Sequence, residues 1–209
     1  MSDYQPIINA LIGCDMAKTT ELVNLSLTQG IDAKDILNQG LIPAMDIVGQ
    51  KMETGEMFIP EVLMAAQVMS SATEILKPTL AKEDSDAKGT VIIGTVKGDL
   101  HDIGKNLVGM MMESGGLEVH NLGVDVEPER FAAQVQEKKA GILCLSALLT
   151  TTMPMMQKTI DILKDKGLRD QVKVMIGGAP VTQTYADQIG ADAYASDAGS
   201  AARLAKSLI

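Results

Sequence analysis

The chain has 209 residues, 46% of them apolar, which suits one large domain or two small ones around a substantial core. A net charge of −9 with no basic stripe excludes nucleic-acid binding, and the distant Cys14 and Cys144 form neither a disulfide framework nor a Cys-x-x-Cys site, as expected in a reducing cytoplasm. Two unclustered histidines leave no dedicated zinc site and five aromatics leave no stacking platform; with no basic segment followed by a long apolar one near Met1 and no run of roughly 18 apolar residues, a soluble cytoplasmic protein is expected.

From Met1 to about Leu80 the pattern is helical. Asp15 caps a helix that runs to Gln29, with Gly30 as its stop. A second helix starts near Asp32 and ends before Gly40. A third begins at Ile42-Pro43 and runs to Gly55. Pro60-Glu61 opens a long fourth helix, since proline is preorganised for the first turn and an acid suits the helix N-terminus. Val62, Leu63, Ala66, Met69, Ala72, Ile75 and Leu76 recur along it at helical spacing. Short connections between such helices predict a four-helix bundle. Lys82–Lys88 is charged and lacks large apolar residues, so it reads as a linker. The predicted division is residues 1–88 and 89–209.

Beyond Gly89 strands and helices alternate. Apolar runs fall at Thr90–Thr95, Leu117–Leu122, Gly141–Leu145, Val172–Ile176 and Ala191–Ala195. Helical stretches follow at Lys105–Ser114, Pro128–Lys138, Thr152–Lys166, Thr182–Ile189 and Ala198–Leu208. This alternation predicts an α/β unit with a five-stranded parallel sheet in the flavodoxin-like (Rossmann-type) order 2-1-3-4-5. Ligands of such sheets bind beyond the carboxyl ends of the strands. Three unusual loops are predicted on that edge: Gly98–Gly104 after the first strand, Ser146–Thr152 after the third, and Gly177-Gly178-Ala179-Pro180 after the fourth.

The first loop holds the chemistry. Gly98-Asp99-Leu100-His101-Asp102-Ile103-Gly104 places an imidazole two residues after a carboxylate. His101 can offer one ring nitrogen to a soft or borderline metal while Asp99 accepts the proton of the other. Gly98 and Gly104 let the backbone approach a large ligand closely, and Asp102 reads as the N-cap of the helix that begins at Gly104-Lys105-Asn106. Met110–Met112 and Met153, Met155 and Met156 lie in helical context and read as adaptable packing rather than a copper site.

The stretch Thr95–Val108, TVKGDLHDIGKNLV, closely resembles the cobalamin-binding loop of cobalamin-dependent methionine synthase and of the corrinoid proteins of methyltransferase systems. Gly40–Met45 and Gly55–Glu61 resemble the helical cap that precedes the corrinoid domain in the same family, so the resemblance covers nearly the whole chain. It implies that His101 is the lower axial ligand of cobalt, and that Asp99 and Leu100 to Gly104 contact the corrin. Ser146 to Leu148 matches the family's Ser-x-Leu pattern. With Thr150, Gly177, Gly178 and Ala179 it is implied to line the slot for the displaced dimethylbenzimidazole tail, the small residues leaving space between strands. Tyr194 and Ser196 resemble the segment near the nucleotide end. Thr152 stands where the family has a serine that completes a hydrogen-bonded His–Asp–Ser chain; it either completes that chain here or caps the helix that follows. Phe58 and Leu63 are implied as the apolar lid over the upper cobalt face, with bundle core as the alternative for Leu63.

The implied function is that of a methyl carrier. Cob(I)alamin accepts a methyl group from a donor handled by a substrate-specific methyltransferase. Methylcobalamin then passes it, through a second methyltransferase, to tetrahydrofolate or a thiol coenzyme; a reductive activase serves the pair. Lys82–Lys88 is then the hinge of the lid. The chain is not catalytic alone, and a bacterial O-demethylase system is the expected setting. A cobalamin-dependent sensor and the small subunit of a mutase share parts of the same pattern and stay open as alternatives.

Overall fold

The computed structural model describes residues 3–80 and 89–209. The predicted linker Lys82–Lys88 lies outside the described residues. Two compact units make up the chain, Met1–Asp86 with Ser114–Gly116 and Ala87–Glu113 with Leu117–Ile209. Among the described residues no helix is long and apolar enough to cross a membrane.

The first unit is helical: α1 (Gln5–Ile12), α2 (Met16–Thr28), α3 (Ala33–Asp35), α4 (Ile42–Glu53) and α5 (Ile59–Leu80). Asp15 caps α2 by accepting from the Lys18 N–H at 2.9 Å, and Gly30 follows its end in the left-handed conformation, φ +78°. Two expectations are corrected. Gln5–Ile12 forms a helix of its own. The second and third predicted helices are one continuous run, because Ile36–Leu41 forms a π-helical segment between α3 and α4. Gly40 does not stop the run; it is buried in it beside Ile7 and Tyr4. Pro43 lacks an N–H and would crowd the preceding turn of a regular α-helix, and the wider turn lies just ahead of it.

At α5 the Phe58 N–H donates to Glu61 Oε2 at 2.8 Å, half of a capping box at the helix start. Val62, Ala65, Ala66, Val68, Met69, Ala72 and Leu76 of this helix are buried. Leu63 is not in that core: it is exposed, as are Phe58, Ile59 and Met64.

The second unit holds β1 (Thr90–Thr95), β2 (Glu118–Asn121), β3 (Ile142–Ser146), β4 (Lys173–Gly177) and β5 (Ala193–Ala195) in one parallel sheet of order β2-β1-β3-β4-β5. Between them run α6 (Ile103–Ser114), α7 (Pro128–Lys138), α8 (Pro154–Asp165), α9 (Gln183–Ile189) and, after β5, α10 (Ala198–Ser207). The predicted order is the observed one. Val91, Ile92 and Ile93 of β1 and Ile142, Leu143 and Leu145 of β3 are all buried, as central parallel strands with both faces covered require. Phe131 of α7, Met156 and Ile160 of α8 and Ala186 of α9 belong to the same core.

Register decides where the site lies. Thr95 pairs with Ser146, Ser146 with Gly177, and Gly177 with Ala195, so β1, β3, β4 and β5 end in one row. The three unusual loops leave the sheet from that row.

Candidate functional site

β1 leaves the sheet through a tight turn. The Asp99 N–H closes it on Val96 O at 3.2 Å, with Gly98 at its third position, φ +82°, a conformation that glycine adopts without strain. This turn sends the Asp99 side chain inward, where it is fully buried, and the next five residues outward.

Asp99 accepts five hydrogen bonds. Oδ1 takes the His101 backbone N–H at 3.1 Å and lies 2.7 Å from His101 Nδ1. Oδ2 takes the N–H groups of Leu148 at 2.7 Å and Leu149 at 3.2 Å, and the Thr152 hydroxyl at 2.9 Å. Burial pushes the Asp99 carboxyl up, but the backbone N–H groups of His101 and Leu148, the His101 ring and the Thr152 hydroxyl outweigh it and hold the group well below the usual carboxylate range. Asp99 is therefore an ionised acceptor. It directs a proton to His101 Nδ1 and leaves Nε2 with its lone pair, unbonded among the described residues, on a side chain 52% exposed.

Thr152 does not cap α8. Its buried hydroxyl serves Asp99, while Met153 stands before Pro154 at the helix start without a side-chain cap bond. Asp102 occupies the position before α6, where its carboxylate accepts from Asn106 Nδ2 at 3.0 Å rather than from a backbone N–H.

The loop is also held by residues that no motif marks. Thr95, fully buried, donates its hydroxyl to His101 O at 2.8 Å. Asp125, at φ +52°, accepts from Gly98 N at 2.7 Å and donates its own N–H to Asp99 O at 3.0 Å. Lys105 and Asn121 meet through a hydrogen bond of 2.8 Å. The only sequence signals are a polar residue closing an apolar strand at Thr95 and the polar loop between β2 and α7 at Asp125.

The remaining predicted residues spread along the same edge. Leu100 (71%), Ile103 (74%), Leu148 (42%) and Leu149 (41%) are exposed in the two loops that meet at Asp99, presenting apolar surface beside the imidazole. A Cβ on Gly104 would meet nothing within 4 Å. Thr150 and Ala179 are exposed, and Ser146 and Tyr194 are half-buried. Ser196 donates its hydroxyl to Asp197 Oδ2 at 2.9 Å, the carboxylate that caps α10. Gly177 and Gly178 do not leave open space between strands: a Cβ on Gly177 would lie 3.1 Å from Ala195 O, and one on Gly178 would lie 1.9 Å from Ala147 O. These glycines let neighbouring backbones close together. Phe58 and Leu63 belong to the helical unit.

Among the described residues no group of three or more His, Cys, Asp or Glu side chains can hold a metal ion. A single imidazole with one nitrogen tied and the other free does not make a cage. It suits one axial position of a metal whose remaining positions a macrocycle fills, and the exposed apolar side chains beside it suit a broad, flat ligand.

Known proteins resemble the chain along nearly its whole length. Residues 89–204 and residues 4–77 each match a family model described as a B12 binding domain. A corrinoid protein of Desulfitobacterium hafniense is 41% identical over 100% of this chain and 98% of its own. Dimethylamine corrinoid protein 1 of Methanosarcina acetivorans is 43% identical over 98% of this chain and 96% of its own. Among solved structures, a cobalamin-binding protein of Desulfitobacterium hafniense superposes with a TM-score of 0.87 at 31% identity, covering 99% of this chain and 98% of that one. The methanol:cobalamin methyltransferase complex of Methanosarcina barkeri gives 0.86 at 30% identity, covering 98% of this chain and 78% of that one. With its Asp-x-His loop at the carboxyl edge of the sheet and B12-binding matches over both units, the chain belongs to the corrinoid proteins of methyltransferase systems, and its cofactor is cobalamin.

Proposed function

We propose that the protein is a methyl carrier between two methyltransferases, with His101 Nε2 as the lower axial ligand of cobalt. One observation carries the reading: the 2.7 Å contact between His101 Nδ1 and Asp99 Oδ1, which leaves the opposite nitrogen of a half-exposed imidazole free. Bound cobalamin supplies a nucleophilic metal that takes a methyl group from a donor and yields it to an acceptor.

The residues of this chain set the conditions for that chemistry. Asp99 fixes the tautomer and orientation of His101. Asp99 Oδ1 would keep its bond to His101 Nδ1 whether or not the imidazole holds the metal, with Thr152 retaining its bond to Oδ2. Leu100, Ile103, Leu148 and Leu149 form the apolar seat, and Gly104 allows a flat ligand to approach the backbone of α6. We assign Ser146, Thr150, Gly177, Gly178, Ala179, Tyr194 and Ser196 to the nucleotide tail, supported by their places at or just beyond the strand ends. Phe58 and Leu63 are assigned to shielding the methyl group, supported by their exposure on the helical unit, which is the proposed cap of a two-domain protein divided at residues 88 and 89.

The partners follow from the same reading: a methyltransferase that loads the carrier, a second that unloads it to tetrahydrofolate or a thiol coenzyme, and a reductive activase. The dimethylamine and trimethylamine systems for which several relatives are named support a methylated amine as the donor.

The test is the Co(II) EPR spectrum of 15N-labelled protein reconstituted anaerobically with hydroxocobalamin, beside His101→Ala. A doublet splitting that disappears in the variant is the expected result. A triplet unchanged by labelling means that the cofactor keeps its own base and overturns the ligand assignment.

A further inference from the structure

Leu100 to Gly104, the five residues around His101, are all exposed. Both residues that bracket them are buried and charged: Asp99 at 0% exposure and Lys105 at 3%. Asp99 ties one end of the loop to the segment after β3, as described above. The other end is tied by Lys105. Its Nζ donates to Asn106 Oδ1 at 2.5 Å and to Asn121 Oδ1 at 2.8 Å. Asn121 Nδ2 donates to Asn106 Oδ1 at 3.0 Å, and Gly123 N donates to Asn121 Oδ1 at 3.0 Å. Asn106 in turn donates to Asp102, the neighbour of His101.

Among the described residues Lys105 makes no ion pair. Burial pushes its ammonium below the ordinary lysine value, and the Asp102 charge opposes that shift. A buried cation bonded to neutral amides alone is expensive to desolvate, and an unbranched apolar side chain would fill the same space without that cost. What the ammonium adds is direction: it joins the first turn of α6 to the end of β2, two elements that flank the His101 loop.

We propose that Lys105 is a positioning residue for His101, clamping the start of α6 to β2 through Asn106 and Asn121 so that the exposed loop is held at both ends and the imidazole is presented in one pose. The inference rests on the cobalamin reading above, and deepens it. Asp99 sets the orientation of the ring; Lys105 sets the position of the backbone that carries it.

Lys105→Met keeps the stem and removes the donors, and Lys105→Arg restores a cation with donors. The first readout uses the apoprotein: amide hydrogen exchange at His101 and 15N signals of its ring, measured beside thermal unfolding. The expected result for Lys105→Met is a loss of at least tenfold in His101 amide protection and averaging of the ring signals, with protection in β1, β3 and β4 retained and with recovery in Lys105→Arg. Unchanged protection and ring signals at His101 overturn the proposal. If Lys105→Met does not fold, Asn121→Ala removes the clamp from the β2 side and is read in the same way. The second readout is the Co(II) EPR fraction with protein-nitrogen splitting, expected to fall at least threefold in Lys105→Met. A wild type without that splitting overturns the ligand assignment and with it the ligand-positioning role, whereas splitting in the wild type that persists undiminished in Lys105→Met overturns the positioning role alone.

Discussion

Thr152 Oγ1 stands 2.9 Å from Asp99 Oδ2 although the two residues are 53 positions apart, and the same hydroxyl lies 2.8 Å from Leu149 O. One hydroxyl proton thus has two acceptors within reach, one on the residue that orients the imidazole and one on the loop after β3. The Thr152 methyl, which a serine lacks, lies near the turn that leads into Asp99: Cγ2 is 3.5 Å from where a Cβ on Gly98 would stand. Thr152→Val is expected to destabilise the apoprotein by about 1 kcal/mol, since Asp99 loses one of its bonds but keeps the rest. Thr152→Ser keeps the hydroxyl and is expected to cost less. Urea unfolding measures both, and a valine variant as stable as the wild type removes the hydroxyl from the account.

Asp99 links stability to pH. Its folded-state pKa is depressed, so its contribution is fully present above the unfolded value near about 4 and is lost as pH falls below it toward the folded value. Asp99→Asn removes that titration and places an amide group against N–H donors at whichever oxygen position it occupies. The variant is expected to be less stable at neutral pH by on the order of 1–3 kcal/mol. Its unfolding free energy is also expected to fall less steeply than that of the wild type between about pH 4 and 2. Parallel curves for the two proteins would place the acid sensitivity elsewhere.

Two glycines of the candidate site make opposite predictions. Gly178 has φ +128° and no room for a Cβ, which would lie 1.9 Å from Ala147 O. Gly178→Ala is expected to destabilise the fold by on the order of 2–4 kcal/mol through strain and overpacking. Gly104 sits in the first turn of α6 with nothing within 4 Å of its Cβ position. Gly104→Ala is expected to stabilise the apoprotein by up to about 1 kcal/mol while weakening cobalamin binding at least tenfold in an absorbance titration. Undiminished binding would reduce Gly104 to ordinary turn chemistry.

The two thiols differ in reactivity. Cys144 is buried in β3, and burial pushes its thiol up to about 12. Cys14 is half-buried at φ +56°, with Sγ 3.5 Å from Glu61 O, and burial with the Glu61 charge raises it as well. Iodoacetamide at pH 8 is expected to label Cys14 slowly and Cys144 only after unfolding, as read by intact mass. Rapid labelling of Cys144 in the folded protein would contradict the packing of the central strands.

Much of the carboxyl edge was legible because its signals are local. The apolar run Thr90–Thr95, the glycine after it and the Asp-x-His spacing are short-range features, and the alternation of strands and helices with short connections restricts a parallel sheet to few orders. The helical half was less legible. Gly40 and Pro43 read as a boundary, yet a π-helical segment carries the chain through Gly40 and opens directly into α4, its wider turn lying just ahead of the Pro43 ring that a regular α-turn would crowd. Leu63 fits the apolar spacing of α5 but is exposed, because periodicity marks a stripe and not what covers it.

Composition, periodicity and one fourteen-residue motif by themselves determined the α/β sheet, the edge on which the site lies and the identity of the ligand histidine candidate. Tertiary structure alone decided which partners hold it. Thr95, Asp125 and Thr152 come from separate strands and loops and bond Gly98, Asp99 and His101, and Asn121 at the end of β2 meets Lys105 of α6, only because parallel pairing in register ends β1 and β3 level with each other and beside β2. A hydrogen bond depends on a few tenths of an ångström between groups up to 53 positions apart, a distance that the packing of the whole sheet sets and that no local pattern encodes.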